Sequence, residues 1–179
     1  VVYGAADTGD LVTPATLSLF AYFLVPANVL LYGVNDVLDA DVDETNPKKD
    51  AREVRYDGDR LVPGAVVLSG AVVVAPLALT PRLAWPWIVG FLVLGVAYSA
   101  PPLRLKTRPP LDSVSNGLYV LPGAAAYAAV AGGHPPALAV GGGWLWTMAM
   151  HTFSAIPDID FDRRAGIETT ATRLGERWT

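Results

Sequence analysis

The sequence predicts an all-α fold, a polytopic transmembrane helical bundle. Three observations carry that prediction. The 179 residues are 52% hydrophobic and only 17% charged, whereas a soluble domain carries about 25% charged residues. Mean hydropathy is +0.36. The charges are also confined to blocks, which leaves long runs without any. A membrane helix needs roughly 20 apolar residues. A soluble protein can bury one all-apolar helix, but a chain of this length has no room to make several of them central.

The runs without Asp, Glu, Lys or Arg extend over Leu11–Val34, Leu61–Pro81, Leu83–Leu103 and Ser113–Pro157. Each of the first three is about one span long. The fourth is about two spans long and is interrupted by Gly132-Gly133-His134-Pro135-Pro136. Glycine allows unusual φ and proline stops a helix, so this is a turn. The expected spans are therefore about 14–34, 61–80, 83–100, 114–131 and 137–157, forming one domain over 1–179. Residues 1–6 are apolar but too short to cross, and suit the end of an earlier span. The chain opens on Val1 and ends just after a charged segment, so it is expected to be a fragment truncated at both ends.

Several function classes are excluded at this level. With no cysteine there is no disulfide framework, thiolate metal site or cysteine nucleophile. A net charge of −4 leaves no electrostatic footprint for nucleic acid.

The loops assign sides. Twelve of the thirteen Lys and Arg fall in residues 35–60, in the segment after the third span and in the C-terminal segment. Five spans in series put these three segments on one face, and the positive-inside rule makes that face cytoplasmic. Fifteen of the seventeen acids lie there too. Acids contribute little to topology, so their clustering points to chemistry.

The first span runs into Asn35-Asp36-Val37-Leu38-Asp39-Ala40-Asp41-Val42-Asp43. If the helix continues, Asp36, Asp39 and Asp43 share one face, and Asn28, two turns before Asn35, faces the same way. The last span runs into Pro157-Asp158-Ile159-Asp160-Phe161-Asp162, where Asp158 and Asp162 share a face and Asp160 points elsewhere. Carboxylates this close repel unless a cation neutralises them. Hard oxygen ligands at this spacing suit Mg2+, which is held by a few carboxylates plus substrate phosphates. Two clusters at matching helix ends can face each other across a bundle, with a Mg2+-bound diphosphate between them. Arg104, Lys106, Arg163 and Arg164 are placed to neutralise the remaining phosphate charge. Asp41, Glu44, Asp50, Glu53, Asp57 and Asp59 read as solvated helix ends.

On these residues the chain resembles the UbiA superfamily of intramembrane prenyltransferases. NDVLDADVD matches that family's NDxxDxxxD pattern at Asn35, Asp36, Asp39 and Asp43, and DIDFD matches its DxxxD pattern at Asp158 and Asp162. RRAGIETTATRLG looks like the family's continuation, with Gly166, Thr170 and Leu174-Gly175. YSAPPLRLK resembles the loop after its fourth helix, with Tyr98 and Lys106. Family members have nine helices, so the five spans look like helices two to six, with three missing at the C-terminus. The resemblance implies a Mg2+-dependent transfer of an isoprenyl group from an allylic diphosphate donor to a hydrophobic acceptor within the lipid bilayer. It casts the five aspartates as catalytic metal ligands and Asn28, Asn35, Tyr98, Lys106 and Arg163 as substrate-binding residues.

The chain departs from many relatives after the first cluster, where NPKKDAREVRY carries no Arg-Pro element. This segment looks more like the carotenoid-elongating branch of haloarchaea and some bacteria, in which lycopene accepts five-carbon prenyl units and water adds to the chain end. Geranylgeranylglycerol phosphate and quinone-type acceptors are the alternatives. A transporter fragment predicts acids inside the spans rather than at their ends. His151 reads more readily as a packing residue, and Trp85, Trp87, Trp144 and Trp146 as interface anchors.

Overall fold

A computed structural model describes residues 1–6, 11–40 and 56–179, and the regular elements among them are helical. Asp43 and most of the 35–60 loop lie outside the described residues.

After the short α1 (Val2–Ala6), the first span is built from α2 (Pro14–Leu24) and α3 (Pro26–Leu38). Thr13 caps α2 reciprocally with Thr16: Thr13 Oγ1 accepts from the Thr16 N–H and Thr16 Oγ1 from the Thr13 N–H. The span breaks at Val25 because Pro26 has no N–H to offer the preceding turn. Lipid supplies no donor for carbonyls released by such a break. Asn28 supplies one, its Nδ2 donating to the carbonyls of Phe23 and Leu24 at 2.9 and 3.1 Å.

The second span is α4 (Leu61–Ala71) and α5 (Val74–Leu79). Asp59 Oδ1 accepts from the Leu61 N–H at 2.9 Å and satisfies one donor at the start of α4. At the far end Thr80 Oγ1 donates to the Pro76 carbonyl and Trp85 Nε1 to the Leu77 carbonyl. A 3-10 turn, Arg82–Ala84, leads straight into α6 (Trp85–Ser99). The fourth span begins with α7 (Leu111–Val114), tightens to a 3-10 stretch over Ser115–Val120, and continues as α8 (Leu121–Ala131). Gly132, at φ 66, ends α8 in the left-handed conformation that glycine adopts without penalty. Then follow α9 (Ala137–Ser154), a 3-10 turn Ile156–Asp158, α10 (Ile159–Ala165) and α11 (Thr170–Leu174).

Among the described residues, four stretches are long and apolar enough to cross a membrane: Pro14–Leu38, Leu61–Leu79, Arg82–Ser99 and Leu111–Ala131. The fifth expected span, α9, does not join them, because Gly141–Gly143, its tryptophans and His151 dilute its hydropathy. The first span runs on to Leu38 and the fourth starts at Leu111, each beyond its expected bound.

Helix α8 is the centre of the bundle. It packs against α1, α2 and α6, and its alanines 124, 125, 126 and 128 are buried. Small side chains let helices approach closely in a membrane, where apolar burial alone gives no drive. Leu19, Tyr22, Ile88 and Leu118 fill the remaining core. Leu61, Val67 and Leu138 face outward, as lipid solvent allows.

Trp144 differs from its expected role at the interface. Its Nε1 donates to the Val114 carbonyl at 2.9 Å, inside the bundle. Its ring lies where a side chain on Gly117 would be: a Cβ there would sit 1.8 Å from Trp144 Cε2. Gly117→Val is therefore expected to destabilise the protein by about 1–3 kcal/mol through overpacking. Gly123, with nothing within 4 Å of such a Cβ, should accept alanine without loss. Thermal melts in detergent measure both, and equal melting temperatures would contradict this packing.

Candidate active site

The site is built from two helix ends and the loop between them. Helix α3 ends at Leu38, with Asp39 as its cap and the Asp39 N–H bonded to the Asn35 carbonyl. This single turn presents Asn35, Asp36 and Asp39 together. The Asp39 side chain is 11% exposed and is held by two cations. Arg104 Nη2 donates to its Oδ1 at 2.9 Å, and Lys106 Nζ pairs with its Oδ2. Lys106 Nζ also donates to Asn35 Oδ1 at 3.0 Å, and Ser99 Oγ donates to the same oxygen at 2.9 Å.

The loop accepts backbone strain to make these contacts. Arg104 sits at φ 40, left-handed, which costs an L-residue about 1–2 kcal/mol. Its ion pair with Asp39 is the contact this conformation makes possible. Burial pushes the Lys106 ammonium down to about 8, opposed by the Asp36 carboxylate nearby. The lysine is thus a desolvated cation held among acids, a state that suits it to meet an anion.

The opposite wall comes from the far end of the chain. Asp158 closes the 3-10 turn after α9, and Asp162 follows one turn later in α10. Between them Asp160 is exposed. Tyr98 of α6 and His151 of α9 meet edge to face, ring centroids 6.1 Å apart at 83°. Asp158, Asp162, Tyr98 and His151 line one cavity of about 650 Å³ together with Asn35, Asp39, Arg104 and Lys106, within the range of small-molecule sites.

Six of the expected site residues therefore border a single space: Asn35, Asp39, Tyr98, Lys106, Asp158 and Asp162. Asp36 adjoins it on α3. Asp43 lies outside the described residues. Two others are placed elsewhere. Asn28 is exposed, and its amide is spent on the last carbonyls of the preceding helix α2. Arg163 turns away to donate to the Thr172 carbonyl at 3.0 Å.

The structure adds residues that sequence reasoning passed over. Thr107, Phe161, Glu168 and Thr169 line the cavity; His151, read from the sequence more readily as a packing residue, lines it too. Asp112 stands behind it, 2% exposed. A lone acid bordering a charge-free run was the available signal for Asp112.

Among the described residues, no group of three His, Asp or Glu side chains is arranged to hold a metal by itself. Paired carboxylates on facing walls still suit Mg2+, which demands few protein ligands when substrate phosphates complete its shell.

A bundle of apolar helices with an acid-lined cavity has the form of an integral-membrane protein with a polar site, and comparison with known proteins narrows it. A model of the UbiA prenyltransferase family matches residues 1–179. The chain belongs to the UbiA prenyltransferase family. It is 64% identical over 179 residues to the lycopene elongase/hydratase of Haloferax volcanii, covering 100% of this chain and 60% of that protein. The chain thus spans about three-fifths of that relative's length. The apo structure of a UbiA homolog from Aeropyrum pernix superposes with a TM-score of 0.76 at 26% identity, over 99% of this chain and 68% of that one. A UbiA homolog from Archaeoglobus fulgidus, solved with GPP and Mg2+, shares the fold at a TM-score of 0.71 and 22% identity, over 97% of this chain and 64% of that one.

The Asp39–Lys106 pair should be energetically coupled. Asp39→Asn and Lys106→Met are each expected to destabilise, because each leaves a desolvated partner charge. The double variant should recover roughly 0.5–3 kcal/mol of the summed loss. Strict additivity in a double-mutant cycle would contradict the contact.

Proposed function

We propose that this chain forms the donor-binding part of an enzyme that transfers an isoprenyl group, Mg2+-dependently, to a hydrophobic acceptor in the membrane. The acceptor we infer is lycopene, with elongation and hydration of its chain end. The observation that carries this reading is the convergence of Asp39, Lys106, Asp158 and Asp162 on one cavity beside Tyr98. The family and the lycopene elongase/hydratase relative support it. So does the diphosphate and Mg2+ bound by the Archaeoglobus homolog.

A prenyl diphosphate suits the cavity at both ends. Its charged head matches the wall of Lys106 and Arg104, where Arg104 Nε is buried with no hydrogen-bond partner among the described residues. That orphaned donor fits a phosphate oxygen. The acids on the two walls would otherwise repel an anion. Mg2+, held by Asp36, Asp39, Asp158 and Asp162, would screen that repulsion and lower the energy of the departing diphosphate. Tyr98 and His151 belong to the helices α6 and α9 rather than to the loops, and the reacting carbon and its tail would sit against them.

In this reading the allylic C–O bond breaks and its electron pair leaves on diphosphate oxygen. Lys106 and Arg104 donate to that oxygen as its charge develops. The Tyr98 ring presents a π face to the allylic cation. The acceptor's alkene pair forms the new C–C bond, and the tertiary cation that results loses a proton or takes up water. Apolar helices exclude bulk water until that step. The acid-bearing loops are cytoplasmic by the charge asymmetry, in a multi-pass protein of the cell membrane.

Membranes carrying the full-length protein test this directly, with prenyl diphosphates and lycopene offered with and without Mg2+. Turnover is expected only with the metal, and Asp36→Ala or Asp158→Ala should lower it at least about 100-fold. Metal-independent turnover, or full activity in either variant, would overturn the mechanism. Activity confined to geranylgeranylglycerol phosphate would overturn the lycopene assignment alone.

A further inference from the structure

Asp112 is the most deeply buried carboxylate described outside the cavity, 2% exposed, and the chemistry above does not use it. Both of its oxygens are engaged by one residue 58 positions away. Oδ2 accepts from the Thr170 N–H at 2.6 Å and Oδ1 from the Thr170 hydroxyl at 2.5 Å. Its own backbone is fixed as well: its carbonyl accepts from Asn116 Nδ2 at 2.7 Å and from Ser115 Oγ at 3.2 Å. Burying a carboxylate is costly, and hydrogen bonds to fixed donors are what make it tolerable. A group bound this way, at the start of a membrane span, fixes position more than it adds net stability.

What it fixes is the chain that closes the cavity. Asp162 leads through Ala165 into Gly166, left-handed at φ 69, and then through Ile167, Glu168 and Thr169 to Thr170. Residues 166–169 line the cavity. One end of this strap is tied to its own helix, the Ile167 N–H donating to the Asp162 carbonyl at 2.8 Å. The other end is tied to Asp112 through Thr170. Helix α10 has only seven residues, too few to hold its own orientation by helix formation.

We propose that Asp112 is the positioning residue for the Asp158–Asp162 wall: its double hydrogen bond to Thr170 latches the 166–170 strap onto α7 and so sets where Asp162 stands across from Asp39. The link to the donor rests on the function proposed above. The latch itself does not.

The described chain has no cysteine, so a single Ile167→Cys reporter in a cysteine-free full-length background can be labelled selectively with a maleimide. In that background Asp112→Asn and Thr170→Val are expected to speed labelling about tenfold, the equivalent of losing a hydrogen bond to a charged group. They should also raise the KM for the prenyl diphosphate more than they lower kcat. Thr170→Ser, which keeps both donors, should restore the parent values of each. Thr170→Val keeps the backbone donor and serves where Asp112→Asn does not fold. Unchanged labelling in Thr170→Val would overturn the latch. Faster labelling without any prenyl transfer would support the latch and overturn the functional reading, so the two failures are distinguishable.

Discussion

The Asp39 carboxylate, gripped by Lys106 and Arg104, is the contact on which the site depends. It joins the end of the first span to the loop after the third, across 65 and 67 positions of sequence. Without it, neither the left-handed Arg104 nor the buried Lys106 has a reason to stay where it is. An ion pair this sheltered is weak evidence of net stabilisation, since desolvation takes back most of what attraction gives. Its value lies in specificity of place. It assembles cations and carboxylates at one point and leaves their remaining valences facing the cavity.

The apolar body answers a different constraint. Lipid offers no hydrogen bonds, so each interruption of a helix must be repaired from within. The chain does this with side chains: Asn28 behind Pro26, Thr80 and Trp85 at the end of the second span, and Trp144 on the turn at Val114. Packing then relies on small residues, most plainly in the alanines of α8 and in Gly117 under the Trp144 ring. The polar end can be irregular because the apolar middle is held this firmly.

Much of this was legible in the sequence, for physical reasons. Charge-free runs must be helices in lipid, and helical spacing put Asp158 and Asp162 on one face. Two acidic strings at the C-terminal ends of the first and fifth spans, which run the same way, had to lie on one face and could meet if the bundle closed. What stayed hidden depended on partners distant in sequence. Asn28 shares a face with Asn35, but spacing cannot reveal that the carbonyls of Phe23 and Leu24, released by the break at Pro26, claim its amide. Arg163 carries the charge a phosphate needs, yet the carbonyl of Thr172 lies closer. Asp112 is not singled out by the sequence, because its partner Thr170 is reached only through the fold. His151 stands two turns before Asp158, a spacing that fits lining and packing alike. The helical continuation of Asp36 and Asp39 toward Asp43 lies outside the described residues.

The central claim is that the two acidic walls bind one diphosphate together through Mg2+. Equilibrium binding of a non-reactive prenyl diphosphate analogue to the full-length protein, titrated across Mg2+ concentrations, tests it most directly. Binding should tighten with Mg2+, and substituting Asp39→Asn on one wall or Asp158→Asn on the other should each abolish that Mg2+ dependence. Binding that is indifferent to Mg2+, or a dependence that survives loss of either wall, would contradict the account.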